Sequence, residues 1–244
     1  MIKILVTGIS GRMGQTVKQA VELNDGTELA STHDVGQDIA AAMSAADCAI
    51  DFSFHGFTPE LLATAVAQGK PLVIGTTGHT DEERAAIAEA AKQIPIVFAS
   101  NYSVGVNTLF WLTRKATQIL KDYDIEIIEM HHHHKLDAPS GTARTLAEVV
   151  CKETGMDYDK DVMHGREGLV GARPQRQIGM HSMRGGDVVG DHTVIYATDG
   201  ERVELTHKAS SRMTFAGGAV RAALWLADKP AGLYSMQDVL GFAD

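Results

Sequence analysis

Cysteine is scarce: Cys48 and Cys151 are the only two in 244 residues. Each lies in an apolar or helical context, which predicts two buried thiols rather than a disulfide and fits a reducing compartment. Aromatics make up only 6% of the chain, so the core must rest on Ala, Val, Ile, Leu and the 10 Met. Positive charge is not in surplus. The formal net charge is -9, which excludes a global basic footprint for nucleic acid and confines any anion-binding function to a local site. No run of about 18 apolar residues occurs, so no membrane span is expected. The chain opens on Ile2-Lys3-Ile4-Leu5-Val6 without a charged leader, which predicts a strand and not a signal peptide. A cytoplasmic protein is the expectation. What is present is ordinary for a globular chain: 44% hydrophobic and 22% charged residues. That excludes a disordered or fibrous chain, and the length allows one large domain or two modest ones.

The first third alternates strand and helix patterns. Strands are predicted at Ile2–Thr7, Glu28–Thr32, Ala46–Phe52, Leu72–Gly75 and Ile94–Ala99. Helices are predicted after Gly14, over Thr58–Gln68 and over Asp81–Lys92, with apolar residues three and four apart. This alternation calls for a parallel sheet with right-handed crossovers. The character changes after about residue 103. Long helices are expected at Val106–Leu120, Ser140–Glu153 and Phe215–Asp228, and a strand at Asp124–Met130. His192–Thr198 and Glu201–His207 flank Asp199-Gly200, a two-residue hairpin signal. The stretch Met163–Gly190 is polar and rich in Gly and Arg. The fold expected is α/β: a Rossmann-like parallel sheet domain plus an α+β domain with a mostly antiparallel or mixed sheet. Residues 1–103 with 213–244 are expected to form the first domain and residues 104–212 the second.

Gly8-x-x-Gly11-x-x-Gly14 follows a strand and opens a helix. A dinucleotide-binding turn needs that context, because pyrophosphate must approach the backbone and the helix N-terminus supplies amide donors. Arg12 and Met13 lie inside the turn. Asp34, after the second strand, is placed to accept from an adenosine ribose. No Lys or Arg follows before Lys70, so no local clamp for a 2′-phosphate is visible. The pattern leans towards NADH, or towards use of both NADH and NADPH. Gly75-Thr76-Thr77-Gly78 follows the fourth strand, where loops line the ligand crevice of an open α/β sheet.

The most informative segment is Glu129-Met130-His131-His132-His133-His134-Lys135-Leu136-Asp137-Ala138-Pro139-Ser140-Gly141-Thr142-Ala143. Ser140 suits an N-cap. Gly141 and Thr142 then sit at a helix N-terminus, where a carboxylate binds well. Lys135 adds a point charge, and a histidine can donate a proton near neutral pH. Anion site, cation and acid within a dozen residues point to a carboxylate substrate that is protonated during reaction. Four consecutive histidines are a poor metal site. Neighbours on a strand face opposite ways, and no Cys or carboxylate partner has ligand spacing, so no metal is expected. A solvated polar loop is the bland alternative.

At these residues the sequence resembles the dihydrodipicolinate reductase family, the 4-hydroxy-tetrahydrodipicolinate reductases of the diaminopimelate route to lysine. The likeness covers almost the whole chain. It includes the glycine turn, Gly75–Gly78, Ala99-Ser100-Asn101-Tyr102-Ser103-Val104-Gly105-Val106-Asn107, Glu129–Ala143, Ile178–Gly186 and Thr206–Arg212. The resemblance implies hydride transfer from NADH or NADPH to an unsaturated cyclic dicarboxylate. It implies His131 as the acid that protonates the substrate and Lys135 as the residue that holds and polarises it. His132 would assist binding, Gly141 and Thr142 would take a carboxylate, and Arg212 would approach the other end of the substrate or the hinge. Cofactor contacts would come from Gly8, Gly11, Arg12, Met13, Gly14, Asp34, Gly75, Thr76, Thr77, Ser100, Asn101 and Tyr102. The second domain would assemble a homotetramer. Two departures concern the cofactor: Phe54 stands where a basic residue sometimes occurs, and His33-Asp34 lacks an acid–Arg pair. Two rivals remain on the residues alone. One is another small-acid dehydrogenase, such as an aspartate dehydrogenase, and the other a non-catalytic nucleotide sensor.

Overall fold

The computed structural model describes residues 1–242. Two compact units emerge: residues 1–104 with 212–244, and residues 105–211. The first is built on a sheet of β1 (Ile2–Thr7), β2 (Thr27–His33), β3 (Cys48–Asp51), β4 (Leu72–Ile74), β5 (Pro95–Phe98) and, late in the chain, β11 (Gly232–Tyr234). All neighbours run parallel, in the order β11-β5-β4-β3-β1-β2. Side chains alternate between the two faces of a strand, and here both faces are apolar. Ile4, Val6, Ile50, Val73 and Val97 point into one core with α1 (Arg12–Glu22), α8 (Met213–Leu226) and α9 (Met236–Leu240). Leu5, Ala49, Leu72, Ile74 and Ile96 point into the other with α2 (Ile39–Ser44), α3 (Thr58–Gln68) and α4 (Asp81–Ala90). A parallel sheet covered on both sides reads as near-continuous Val, Ile and Leu, as these strands do.

Local chemistry sets the helix starts. The Thr80 hydroxyl accepts from Glu83 N while the Glu83 side chain accepts from Thr80 N, a reciprocal cap on α4. Asp38 caps α2 by accepting from Ala40 N and Ala41 N. The short α2, α9 and β11 were not expected from the sequence. They are three to six residues long, too short for a period to show.

The second unit carries β6 (Asp124–His131), β7 (Val162–His164), β8 (Ile178–Arg184), β9 (Gly190–Thr198) and β10 (Glu201–Ala209), ordered β10-β9-β6-β8-β7. β9 pairs antiparallel with β10 and β6, whereas β6–β8 and β8–β7 are parallel. The sheet is therefore mixed. Helices α5 (Val104–Ile119) and α6 (Gly141–Thr154) supply its apolar cover, with α7 (Tyr158–Asp161) a single short turn. β8 and most of β7 fall in the polar, Gly- and Arg-rich stretch Met163–Gly190, where no strand was marked out. β8 needs no apolar surface on both sides, because Glu126 on neighbouring β6 accepts from Arg166 and Arg173 and pairs with His181. Its Gly179 lies where a Cβ would fall 1.7 Å from the Glu126 carboxylate.

Candidate active site

The glycine turn follows from backbone geometry. Gly8 adopts φ +69°, a left-handed conformation that glycine takes at little cost. At Gly14 a Cβ would fall 2.1 Å from the Gly8 carbonyl oxygen. The start of α1 therefore presses directly on the turn, and the backbone is left bare for a ligand. Gly11 N donates to Gly8 O at 3.0 Å and closes the loop. The sheet order reverses between β1 and β3, the place where open α/β sheets hold ligands beyond their carboxyl ends. A cleft of about 660 Å³ opens there, lined by Gly8, Ser10, Gly11, Asp34, Phe52 and Glu60 among others. No Lys or Arg lines it. One oxygen of Asp34 accepts from Ser10 N at 2.6 Å and the other from Val35 N at 2.8 Å. The bond from Ser10 holds this carboxyl below its usual range.

The other expected cofactor residues are placed unequally. Arg12 is exposed at the first position of α1. Thr77 and Ser100 are exposed beyond β4 and β5. Gly75 packs on Phe52, where a Cβ would meet the ring at 2.3 Å. Asn101 Oδ1 accepts from Ser103 N at 2.8 Å. Three side chains turn inward instead. Met13 packs against the core beneath α1. Thr76 donates to Asp51 at 2.5 Å and accepts from Ser53 N at 2.9 Å. Tyr102 is 1% exposed, and its hydroxyl lies 2.9 Å from both Ile74 O and Val97 O. Its aromatic side chain therefore ties the ends of β4 and β5 and is not open to a ligand. Sequence reasoning overlooked Asp51, a fully buried carboxylate that takes hydroxyl donors from Thr7, Ser53 and Thr76, each at 2.5 Å.

In the second unit the alternation of β6 does the work. Ile125 and Ile127 face inward, and the same face then presents Glu129 and His131. An apolar stripe thus ends in two polar groups under the start of α6. Glu129 is fully buried. Its Oε2 accepts from His131 Nδ1 at 2.6 Å and from Arg184 Nη1 at 2.9 Å. Its Oε1 accepts from Arg184 Nη2 at 2.8 Å and from Ser140 N at 3.2 Å. Burial alone would raise this carboxyl; the bonds from His131, Arg184 and Ser182 outweigh it and bring it down to about 2. Ser140 caps α6 by accepting from Ala143 N at 3.2 Å, and its hydroxyl lies 2.9 Å from His192 Nε2. The His192 ring crosses His131 edge to face, with centroids 5.2 Å apart. Burial, then the neighbouring His131, push His192 down to about 3, so it is a neutral wall.

The four histidines separate because β6 ends at His131 and the other three lie in the turn that follows. Only His131 is buried; His132 is half-buried, with its N donating to Val188 O at 2.8 Å, and His133 and His134 are exposed. No cluster of three or more metal-ligating side chains occurs among the described residues. Lys135 pairs with Asp137 at 2.9 Å. The Asp137 carbonyl accepts from Arg184 at 2.7 Å, which ties the Lys135 loop to the Glu129 centre. Gly141 and Thr142 form the first turn of α6, and a Cβ on Gly141 would meet open space. Arg212 belongs to the first unit, at the head of α8. Glu129, Arg184 and His192 were missed as site residues. Period-two counting from His131 would have found Glu129.

A parallel sheet with a glycine turn after β1 and a carboxylate after β2 has the form of a dinucleotide-dependent oxidoreductase, joined here to a unit that sets a buried His131–Glu129 pair beside the start of α6. The chain belongs to the dihydrodipicolinate reductase family. The model of that family's N-terminal region matches residues 2–102 and the model of its C-terminal region residues 105–240. A 4-hydroxy-tetrahydrodipicolinate reductase from Akkermansia muciniphila is 68% identical over 244 residues, covering 100% of this chain and 99% of the relative. One from Cupriavidus metallidurans is 49% identical, covering 98% and 99%. Among solved structures, dipicolinate-bound dihydrodipicolinate reductase from Paenisporosarcina sp. TG-14 has the same fold, with a TM-score of 0.78 at 24% identity and 98% coverage of both chains. No helix among the described residues is long and apolar enough to cross a membrane.

Proposed function

We propose that His131 is the proton donor and Lys135 the substrate anchor in the reaction of this family. That reaction is the NAD(P)H-dependent reduction of 4-hydroxy-tetrahydrodipicolinate to tetrahydrodipicolinate in lysine and diaminopimelate biosynthesis. The observation that carries the assignment is the buried His131–Glu129 pair at 2.6 Å, set beside the first turn of α6. An imidazole held by a carboxylate through Nδ1 keeps Nε2 for proton exchange. The helix amides at Gly141 and Thr142 and the Lys135 ammonium suit the two carboxylates of the substrate. His132 stands next to them, and Arg212 is the substrate residue assigned to the first unit.

The glycine turn fits a dinucleotide, since a Cβ at Gly8 would strike the Phe52 backbone and one at Gly14 the Gly8 carbonyl, so glycine at both positions lets the turn close tightly and present its backbone to a pyrophosphate. When bound, the nicotinamide supplies the hydride. Gly8, Gly11 and Gly14 would cradle the pyrophosphate, with Arg12 beside it, and Asp34 would accept from the ribose. Gly75, Thr77, Ser100 and Asn101 would border the nicotinamide through the loops after β4 and β5. A cleft lined by Asp34 and Glu60 and by no Lys or Arg favours NADH over NADPH, because a 2′-phosphate would add charge facing carboxylates. Two buried free thiols, Cys48 and Cys151, suit a reducing cytoplasm. The exposed edge strand β10 supports homotetramer assembly through the second unit; a monomer mass by light scattering would refute that.

The deciding assay generates the substrate freshly and follows oxidation of NADH and NADPH in parallel. Turnover with a higher kcat/KM for NADH, and a far larger loss in kcat than in substrate affinity for His131→Gln, is the expected result. Full turnover in His131→Gln would sink the assignment.

A further inference from the structure

We propose that Glu129 and Arg184 act together as a positioning pair that dictates which nitrogen of His131 carries the transferable proton and how firmly that proton is held, a role that presupposes His131 as the donor. Glu129 sits two residues before His131 on β6, so both side chains leave the strand on the same buried face. Its carboxylate is ionised at any working pH and can only accept. The 2.6 Å contact therefore places a hydrogen on Nδ1 of His131 and leaves Nε2 as the exchanging atom. Space is kept on that side by Gly190, where a Cβ would fall 3.0 Å from Nε2.

Arg184 sets the strength of the effect. An isolated carboxylate would favour the imidazolium and slow release of the proton. Here the guanidinium takes both oxygens of Glu129, at 2.8 and 2.9 Å, and shares out the charge. The same carboxylate accepts from Ser140 N, so the orientation of the acid and the position of the α6 anion site are fixed by one group. Other charged or titratable groups near the ring are accounted for. β9 presents the neutral His192, β10 places His207 beyond it, and the loop after β6 brings Lys135, already paired with Asp137. α6 contributes the uncharged Ser140.

Two substitutions should act in opposite directions. Glu129→Gln removes the negative charge and should move the alkaline limb of the kcat profile down by about one pH unit. It should also lower kcat about 10- to 100-fold, with a smaller change in KM. Arg184→Gln removes the positive charge and should move the same limb up by about one unit. A merely structural role would lower both activities without opposite shifts. Independently of activity, nitrogen NMR of the histidine-labelled full chain should show neutral His131 protonated at Nδ1, its signal assigned by loss in His131→Gln. Limbs that stay in place or move the same way, or a neutral ring protonated at Nε2, would overturn the proposal. If either variant fails to fold, the wild-type tautomer still decides. Full turnover in His131→Gln would instead refute the donor assignment itself, so the two failures are told apart.

Discussion

Replacing Tyr102 by Phe separates a structural from a cofactor role for the loop after β5. The substitution removes one oxygen from a side chain that is 1% exposed. That oxygen lies 2.9 Å from Ile74 O and 2.9 Å from Val97 O, and burial keeps the phenol protonated by raising it well above its ordinary range. Ile74 O keeps a second, longer donor in Ala99 N at 3.4 Å, so the loss is not total. The vacated space is too small for a replacement water. A buried hydrogen bond lost without rehydration costs about 1–2 kcal/mol. For a chain of this length each kcal/mol lowers Tm by about 2–4 °C, giving an expected fall of about 2–8 °C. The edge-to-face contact with Phe52, at 5.8 Å, is retained, so the loop should hold its shape. Scanning calorimetry gives the Tm, and NADH titration should give an unchanged affinity. An unchanged Tm with weakened NADH binding would refute the reasoning and return the side chain to the cofactor.

Gly14→Ala places a Cβ 2.1 Å from the Gly8 carbonyl oxygen. Overpacking of about 1–3 kcal/mol should weaken NADH binding roughly tenfold or more; wild-type affinity by fluorescence titration would contradict the turn geometry. Acid should destabilise the second unit. Glu126 and Glu129 are both held at about 2 against an ordinary 4.5, so their stabilisation is full above pH 4.5 and is lost as pH falls towards 2. Each contributes on the order of 3 kcal/mol. His192, held down at about 3 against 6.5, adds a loss that begins below pH 6.5, where the unfolded chain takes up a proton that the folded one refuses. Urea midpoints that stay level from pH 7 to pH 3 would refute this.

Much of the fold was legible because its signals are local. Thr58–Gln68 is helical over its whole expected span, and Asp199-Gly200 does turn β9 into β10. The glycine turn was readable because Gly8 and Gly14 answer a backbone constraint within seven residues. β8 was hidden because its environment comes from afar: Arg166 and Arg173 reach Glu126 across 40 and 47 residues. The hub at Glu129 was hidden for the same reason, since Arg184 is 55 residues away. The inward turn of the Tyr102 ring was not legible, because sequence marks the loop that carries it, whereas burial decides which way the ring turns.

The first unit is discontinuous, and α8 fills much of one of its cores with Ala216, Ala219, Val220, Ala223 and Leu226. On the ribosome, residues 1–104 therefore emerge with one face of their sheet covered by α1 alone. The contiguous second unit, residues 105–211, is complete before α8 is made. Synthesis thus reverses the expected order of maturation, with the N-terminal unit finishing last. Until those final residues arrive, part of the apolar face of a parallel sheet lacks its cover, so truncation before α8 should cost the first unit much of one core.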